Sequence, residues 1–458
     1  MRLAAPLRAL ATMSASISRR IADTDAPVIV GMQQMLKGKS DVMSMAQGIV
    51  HWPPPSEALQ AARAALDEPQ TSLYCADDGL PALRDALKQK LARDNGLVSS
   101  EVMVTAGANQ AYTNVVLSLL DAGDAAVLYR PYYFNHLMAL QMTGSAADVV
   151  LPPSTPDMQP DLAALQGEIE ARAAAGRPPI KLVTLVNPGN PTGVMIPRPT
   201  LEAFSAVCEQ NGIWLVLDNT YEHFAYEGEA THSCLEGEHI INVFSFSKAY
   251  GMMGWRVGYA AFPPSLGPQL FKTQDTIVIC PTVISQKVAI GALETGRAWV
   301  DERIASLAEQ KALVLDALHA TLGADAVKGG SGAIYLFCRL PAGCEDDTAV
   351  VVRLPAAPAA ARLPPHPSER RALPSPRGRG GSPTRTASAL SRVRLAACLA
   401  TCAYATQTFR SSGRARQPRG CERALGSSQR AASISRHTAA SSELASVRSR
   451  HLAWRRGG

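Results

Sequence analysis

NVFSFSKAYGMMGWRVGYA, residues Asn242 to Ala260, carries the lysine on which the rest of the chain is best understood. A β-rich run, Ile240 to Phe244, ends at Ser245 and Ser247 and delivers Lys248 into a glycine-punctuated turn. Arg256 follows eight residues after the lysine, just ahead of a second apolar run. A lysine between two strand ends, with hydroxyls and an arginine close by, suits Schiff-base chemistry with an aldehyde cofactor. The amine attacks the carbonyl, while Ser245, Ser247 and Arg256 hold a phosphate that tethers the cofactor. The bland alternative is a surface lysine in a loop, which is what most lysines are.

Outward from this stretch, strand and helix patterns alternate. Ser56 to Leu66 reads as a helix with Ser56 at its N-cap, and a second helix runs from about Pro81 to Gly96 with Leu83, Leu87 and Leu91 on one face. Val102 to Thr105 is a strand that turns at Gly107-Ala108-Asn109 into a helix reaching about Leu120. Backbone amides at such a helix start make an anion site, although many strand–helix units have a similar turn. Further on, KLVTLV leads into NPGNPTG (Asn187 to Gly193), and GIWLVLDNTY leads to Asp218 and Tyr221. A long helix is expected over Arg297 to Leu322, and a strand over Ile334 to Leu340. This alternation predicts an α/β fold with a mainly parallel sheet and helices on both faces. Ligands of such sheets bind beyond the carboxyl ends of the strands, where Asn190, Asp218 and Lys248 can converge.

The ordered motifs G-A-N, P-Y-Y, N-P-x-N-P-T-G, D-N-x-Y, S-x-S-K and G-W-R-x-G-Y resemble those of the class I/II aminotransferases, fold-type-I pyridoxal-phosphate (PLP) enzymes. The wording of QGIVHWPPP, VMVTAGANQA, PYYFN and DNTYE is similar to that of plant and algal aromatic aminotransferases, over about Ser18 to Val352. The resemblance implies that Lys248 forms the Schiff base and shuttles the proton, and that Asp218 faces the pyridine nitrogen. Tyr221 and Asn190 would donate to the ring oxygen. Gly107, Ala108, Asn109, Ser245, Ser247 and Arg256 would hold the phosphate, and Tyr133, rather than Tyr132, would stack on the ring. It further implies that Tyr74 reaches a phosphate across a homodimer interface, and that Gly48 and Asn190 contact the substrate carboxylate. The substrates would be an aromatic amino acid or methionine and a 2-oxo acid. A lyase or decarboxylase on the same fold is the enzymatic alternative.

Composition divides the chain in two. Residues 353–458 hold 20 arginines, three glutamates and no lysine or aspartate, a charge of +17 that sits against −11 on residues 1–352 and gives the overall +6. The tail's Ala, Arg, Ser, Gly and Pro cannot bury enough apolar surface to offset the entropy of ordering. It reads as disordered, and as GC-rich sequence in an unselected frame after a frameshift or a retained intron. An RNA-binding basic tail is the rival, though regular RGG or RS repeats are missing. The family's C-terminal arginine, which anchors the substrate carboxylate, has no convincing counterpart; Arg392 and Arg394 in SRVRLAACLA are the nearest strings. A catalytically impaired homologue is therefore a second expectation.

The expected organisation is an N-terminal targeting or disordered segment over 1–20, an arm over 21–45 and a PLP-binding large domain over 46–290. A partial α+β small domain over 291–352 and the tail complete it. The Arg- and Ser-rich opening is either an organellar transit peptide or an untidy start ahead of Met13, the latter implying the cytosol. No apolar run is long enough to span a bilayer. Nine scattered cysteines without a C-x-x-C pair suggest reduced thiols and no structural zinc.

Overall fold

The computed structural model describes residues 17–342 apart from 39–44, 46, 145–147, 227 and 229–230. The tail, with Arg392 and Arg394, lies outside the described residues. Among the described residues are nine strands: β1 Glu101–Thr105, β2 Ala125–Leu128, β3 Val149–Val150, β4 Ile180–Val186, β5 Trp214–Asp218, β6 Ile240–Ser245, β7 Gly258–Phe262, β8 Val327–Gly329 and β9 Leu336–Cys338. The helices are α1 Arg19–Ala22, α2 Val28–Leu36, α3 Ser56–Leu66, α4 Pro81–Lys90, α5 Ala108–Leu119 and α6 Phe134–Thr143. They continue with α7 Leu162–Ala174, α8 Arg198–Gln210, α9 Gly267–Val278, α10 Val283–Glu294, α11 Arg297–Ala305 and α12 Ala308–Leu322.

Seven strands form one sheet in the order β1-β7-β6-β5-β4-β2-β3. All its pairings are parallel except those of β7, which runs antiparallel to both β1 and β6. Its strands are apolar almost throughout because both faces are covered. Alternate side chains go to opposite sides: Val102, Val104 and Phe244 pack with residues of α3, α4 and α10. Met103, Val216 and Val243 pack with residues of α5, α6 and α9. Leu83, Leu87 and Leu91 are fully buried, each contributing roughly 1.5–3 kcal/mol.

Three local expectations are corrected. Ser56 is not an N-cap: Pro55 holds that position, and the Ser56 hydroxyl donates to the Glu57 carboxylate. By contrast Asp161, unremarked in the sequence, caps α7 by accepting from the amides of Ala163 and Ala164. The stretch from Arg297 to Leu322 is two helices. They part at Ser306-Leu307, where the Ser306 hydroxyl bonds back to the Arg303 carbonyl. The last described strand covers only Leu336–Cys338 and pairs antiparallel with β8.

Candidate active site

The register of the sheet builds the site. Gly258, at the start of β7, lies opposite Thr105 at the end of β1 and opposite Ser245 at the end of β6. The antiparallel strand therefore begins where its two neighbours finish. The turn after β1, the lysine loop after β6 and Arg256 just before β7 meet at one edge. β5 and β4, next in order, bring Asp218 and the Asn187–Gly193 loop to the same end.

Lys248 is half-buried, and its Nζ donates to the Gly48 carbonyl at 2.5 Å. Burial, with repulsion from Arg256, pushes its pKa down to about 8. Arg256 has φ +56°, an uncommon conformation for a side chain of that size. Its guanidinium donates to the carbonyls of Met253 (2.8 Å) and Ala106 (3.3 Å) and reaches the Ser247 hydroxyl at 3.5 Å. It lies directly across Gly107, where a Cβ would come within 2.3 Å of its Nη2. Gly107 is the N-cap of α5, so Ala108 and Asn109 open the helix with the amides of its first turn beside the guanidinium. The Ser245 hydroxyl accepts from the Ser247 amide at 3.1 Å. Together these groups stand where an anion such as a phosphate can be cradled.

Asp218 is 5 % exposed. Burial acts to raise its pKa, but hydrogen bonds from His136 Nε2 at 3.1 Å and the Thr220 amide at 2.9 Å outweigh this and hold the carboxyl below its usual range. The Tyr221 hydroxyl shares a short hydrogen bond with that of Tyr335. A Cβ on Gly48 would collide with the same Tyr335 hydroxyl, so glycine there leaves room for the ring. Asn190 is buried with its side-chain oxygen unpartnered, beside a cavity of about 50 Å³ that is also lined by Tyr132, His136, Thr184 and Thr192. Tyr132 is packed in the core, whereas the Tyr133 hydroxyl donates to Asn109 at 3.3 Å and its ring stands edge-on to His136. Tyr74 is apart from this cluster, 81 % exposed at the surface.

The structure thus brings together Gly48, Lys248, Arg256, Ser245, Ser247, the Gly107–Asn109 turn and Tyr133. It places Asp218, Tyr221 and Asn190 at neighbouring strand ends. His136 and Tyr335 were missed. His136 follows the tyrosine pair three residues into the PYYFNH string, but a lone histidine on a helix carries no spacing signal. Tyr335 comes from a segment with no motif at all. Both bear on how a phosphorylated pyridine would fit. Asp218, kept ionised, suits a protonated ring nitrogen and the cradle at Gly107 suits the phosphate, whereas the unpartnered atom of Asn190 is its side-chain oxygen, an acceptor that suits a donor.

Residues 40–356 match the family described as aminotransferase class I and II. An aromatic aminotransferase of Arabidopsis thaliana is 48 % identical over 338 residues, 73 % of this chain and 84 % of that protein. An aspartate/prephenate aminotransferase of Thermus thermophilus is 30 % identical, covering 70 % of this chain and 82 % of its own length. Among solved structures, an aminotransferase from Mycobacterium tuberculosis superposes with a TM-score of 0.66 at 28 % identity, covering 74 % of this chain and 88 % of that one. With a match across most of its length and the family's fold around an amine, a carboxylate and an anion cradle, the chain belongs to the PLP-dependent aminotransferases of class I and II.

Proposed function

We propose that the protein moves amino groups between an aromatic amino acid or methionine and a 2-oxo acid, with Lys248 as the reacting amine. One observation carries the assignment of roles: the depressed Lys248 amine and the ionised Asp218 stand at the ends of adjacent strands, β6 and β5. The aromatic preference rests on the Arabidopsis relative. PLP, when bound, supplies an electrophilic aldehyde and a ring that accepts electron density. Asp218 holds the proton on the pyridine nitrogen, and His136 holds Asp218. Tyr221 and Asn190 hydrogen-bond the ring oxygen, and Tyr133 stacks on the ring. Arg256, Ser245, Ser247 and the amides of Gly107, Ala108 and Asn109 bind the phosphate. With the cofactor held there, Lys248 Nζ would be the group that takes up the substrate Cα proton and gives it back. Burial suits it to both halves of that transfer, since a pKa of about 8 lies near neutrality. Gly48, whose carbonyl already meets Lys248, and Asn190 contact the substrate carboxylate. Tyr74, exposed beside the 64 % exposed Leu73, completes the phosphate site of a second copy in a homodimer. We place the enzyme in the cytosol and divide it into a large domain over 46–290 and a partial small domain over 291–352.

Purified protein mixed with PLP should absorb in the visible, and should transaminate phenylalanine, tyrosine or tryptophan faster than aspartate. A visible band with no turnover on any of these donors would sink the transaminase reading.

The anion cradle yields its own expectation. Gly107→Ala puts a methyl against Arg256 in a left-handed conformation, so PLP affinity should fall about 10- to 100-fold, the scale of one or two charge-assisted hydrogen bonds. Equilibrium dialysis measures it, and unchanged affinity would remove Arg256 from the phosphate site.

The impaired-homologue alternative rests on the sequence after Val352, which has no counterpart of the family's substrate-binding arginine, and on Ile334, Leu336 and Phe337, which are only partly buried. Replacing residues 353–458 by a family-like ending with its arginine should raise kcat/KM for aromatic substrates about 10- to 100-fold, the value of a carboxylate–arginine pair. Equal kinetics with and without that ending would show that the arginine is not needed.

A further inference from the structure

Behind the turn that carries Asp218 and Tyr221 lies a charged pair that plays no part in the chemistry above. Lys90, the last residue of α4, and Glu222 have side chains only 4 % and 8 % exposed, and Lys90 Nζ sits 2.5 Å from the Glu222 carboxylate. Asn95, which ends the π-helical segment Leu91–Asn95 that continues α4, accepts from Lys90 Nζ at 2.8 Å and donates to Glu222 Oε2 at 2.8 Å. Phe244 of β6 lies 4.9 Å beneath the ammonium. Burial pushes His223 and His232 down to about 4, so both are neutral near neutral pH. Lys90 is then the cation directly opposite Glu222, with Arg297 at the start of α11 a weaker influence on the same cluster. Burial would raise Glu222, yet Lys90 first, and the histidines once they protonate in acid, hold it down at about 2.

Such a pair adds little net stability, because its desolvation cost offsets most of its attraction. What it does fix is position. Glu222 is bonded to Tyr221 through the chain, and the turn holding both is closed by Glu222 N to the Asn219 carbonyl (2.9 Å) and Phe224 N to the Tyr221 carbonyl (2.8 Å). Asn219, in turn, donates to the Leu217 carbonyl and to Asn242, and it pairs with His232 Nε2. These bonds tie down the backbone on both sides of Tyr221, and Glu222 is the neighbour in the chain whose side chain anchors it to α4.

We infer that Lys90 and Glu222 are positioning residues for the Tyr221 hydroxyl, a buried ion pair clamping the back of the turn whose front presents Tyr221 to the cofactor ring oxygen. This rests on the role proposed for Tyr221. When the clamp is removed, the hydroxyl drifts, the ring oxygen loses a hydrogen bond, and the proton affinity of the bound cofactor rises.

The readout is the pH midpoint of the visible absorbance change of the PLP-loaded full chain. Glu222→Gln should raise it by roughly one pH unit, tenfold in proton affinity. Lys90→Met/Glu222→Met, which unlike Glu222→Gln leaves no unpaired buried charge and so keeps the fold, should raise it equally. Tyr221→Phe should also raise it, and adding Glu222→Gln to Tyr221→Phe should change nothing further, since both act through one hydroxyl. An unmoved midpoint in the two charge-removed variants, with Tyr221→Phe shifting it, overturns the clamp and leaves Tyr221's role intact. Full additivity of Glu222→Gln with Tyr221→Phe also overturns it. A Tyr221→Phe protein with an unmoved midpoint overturns the role of Tyr221 itself, and the clamp with it.

Discussion

Lys248→Ala should abolish transamination, a loss on the order of 10⁴-fold or more, since both the nucleophile and the proton carrier disappear. No other described lysine can take over. Lys90, the other buried one, is committed to Glu222, and Lys181 and Lys287 are paired at the surface with Asp124 and Glu68. The visible band of the bound cofactor should shift to that of the free aldehyde, while binding through the phosphate cradle persists. Exogenous small amines should restore part of the rate, because the space vacated by the side chain opens toward the Gly48 carbonyl. Substantial turnover by the variant without added amine would show that another group does the work.

Asp218→Asn should retain cofactor and lose about 100- to 1,000-fold in kcat, the scale of removing one preorganised charge partner from a water-excluded site. The amide is isosteric and its oxygen can still accept from the Thr220 amide, while its NH2 can donate to His136 Nε2 in the other imidazole tautomer, so the fold and the neighbouring strand ends should be undisturbed. What it cannot do is hold a proton on a pyridine nitrogen. Turnover measured at saturating substrate, with bound PLP quantified in the same samples, separates the two effects. An unchanged kcat would reduce Asp218 to a strand-end turn residue.

The parts of the site that could be read in the sequence are those whose chemistry and backbone are specified locally. Lys248, Ser245 and Arg256 fall within a few residues of each other, and Gly107 needs only its own turn to be recognisable. The alternation of apolar runs gave the parallel sheet because a strand buried on both faces has no polar side to show. It did not reveal that β7 turns back between β1 and β6, since an antiparallel central strand is equally apolar. What escaped detection depends on pairing across distance. Tyr221 meets Tyr335 over 114 residues, and Lys90 meets Glu222 over 132. A tyrosine, a lysine or a glutamate alone announces no partner. The break at Ser306-Leu307 escaped for a different reason: neither residue is a helix breaker, and the hydroxyl that ends the helix acts only once the helix exists.

The placement of β7 also orders events during synthesis. Among the described residues β1 pairs with β7 alone, so Glu101–Thr105 leaves the ribosome as an unpaired strand and stays one until residue 258 has followed. By the last part of that interval Asn190 and Asp218 have been made, yet the turn at Gly107 has neither the arginine that lies across it nor a neighbour to hold its strand. A nascent chain can therefore carry the ring-facing half of the site without being able to retain the cofactor. Capture waits for the hairpin of β6 and β7, which brings amine and guanidinium together in one short segment. Until then β1 is an apolar strand with unpaired backbone groups, the kind of segment a chaperone shields.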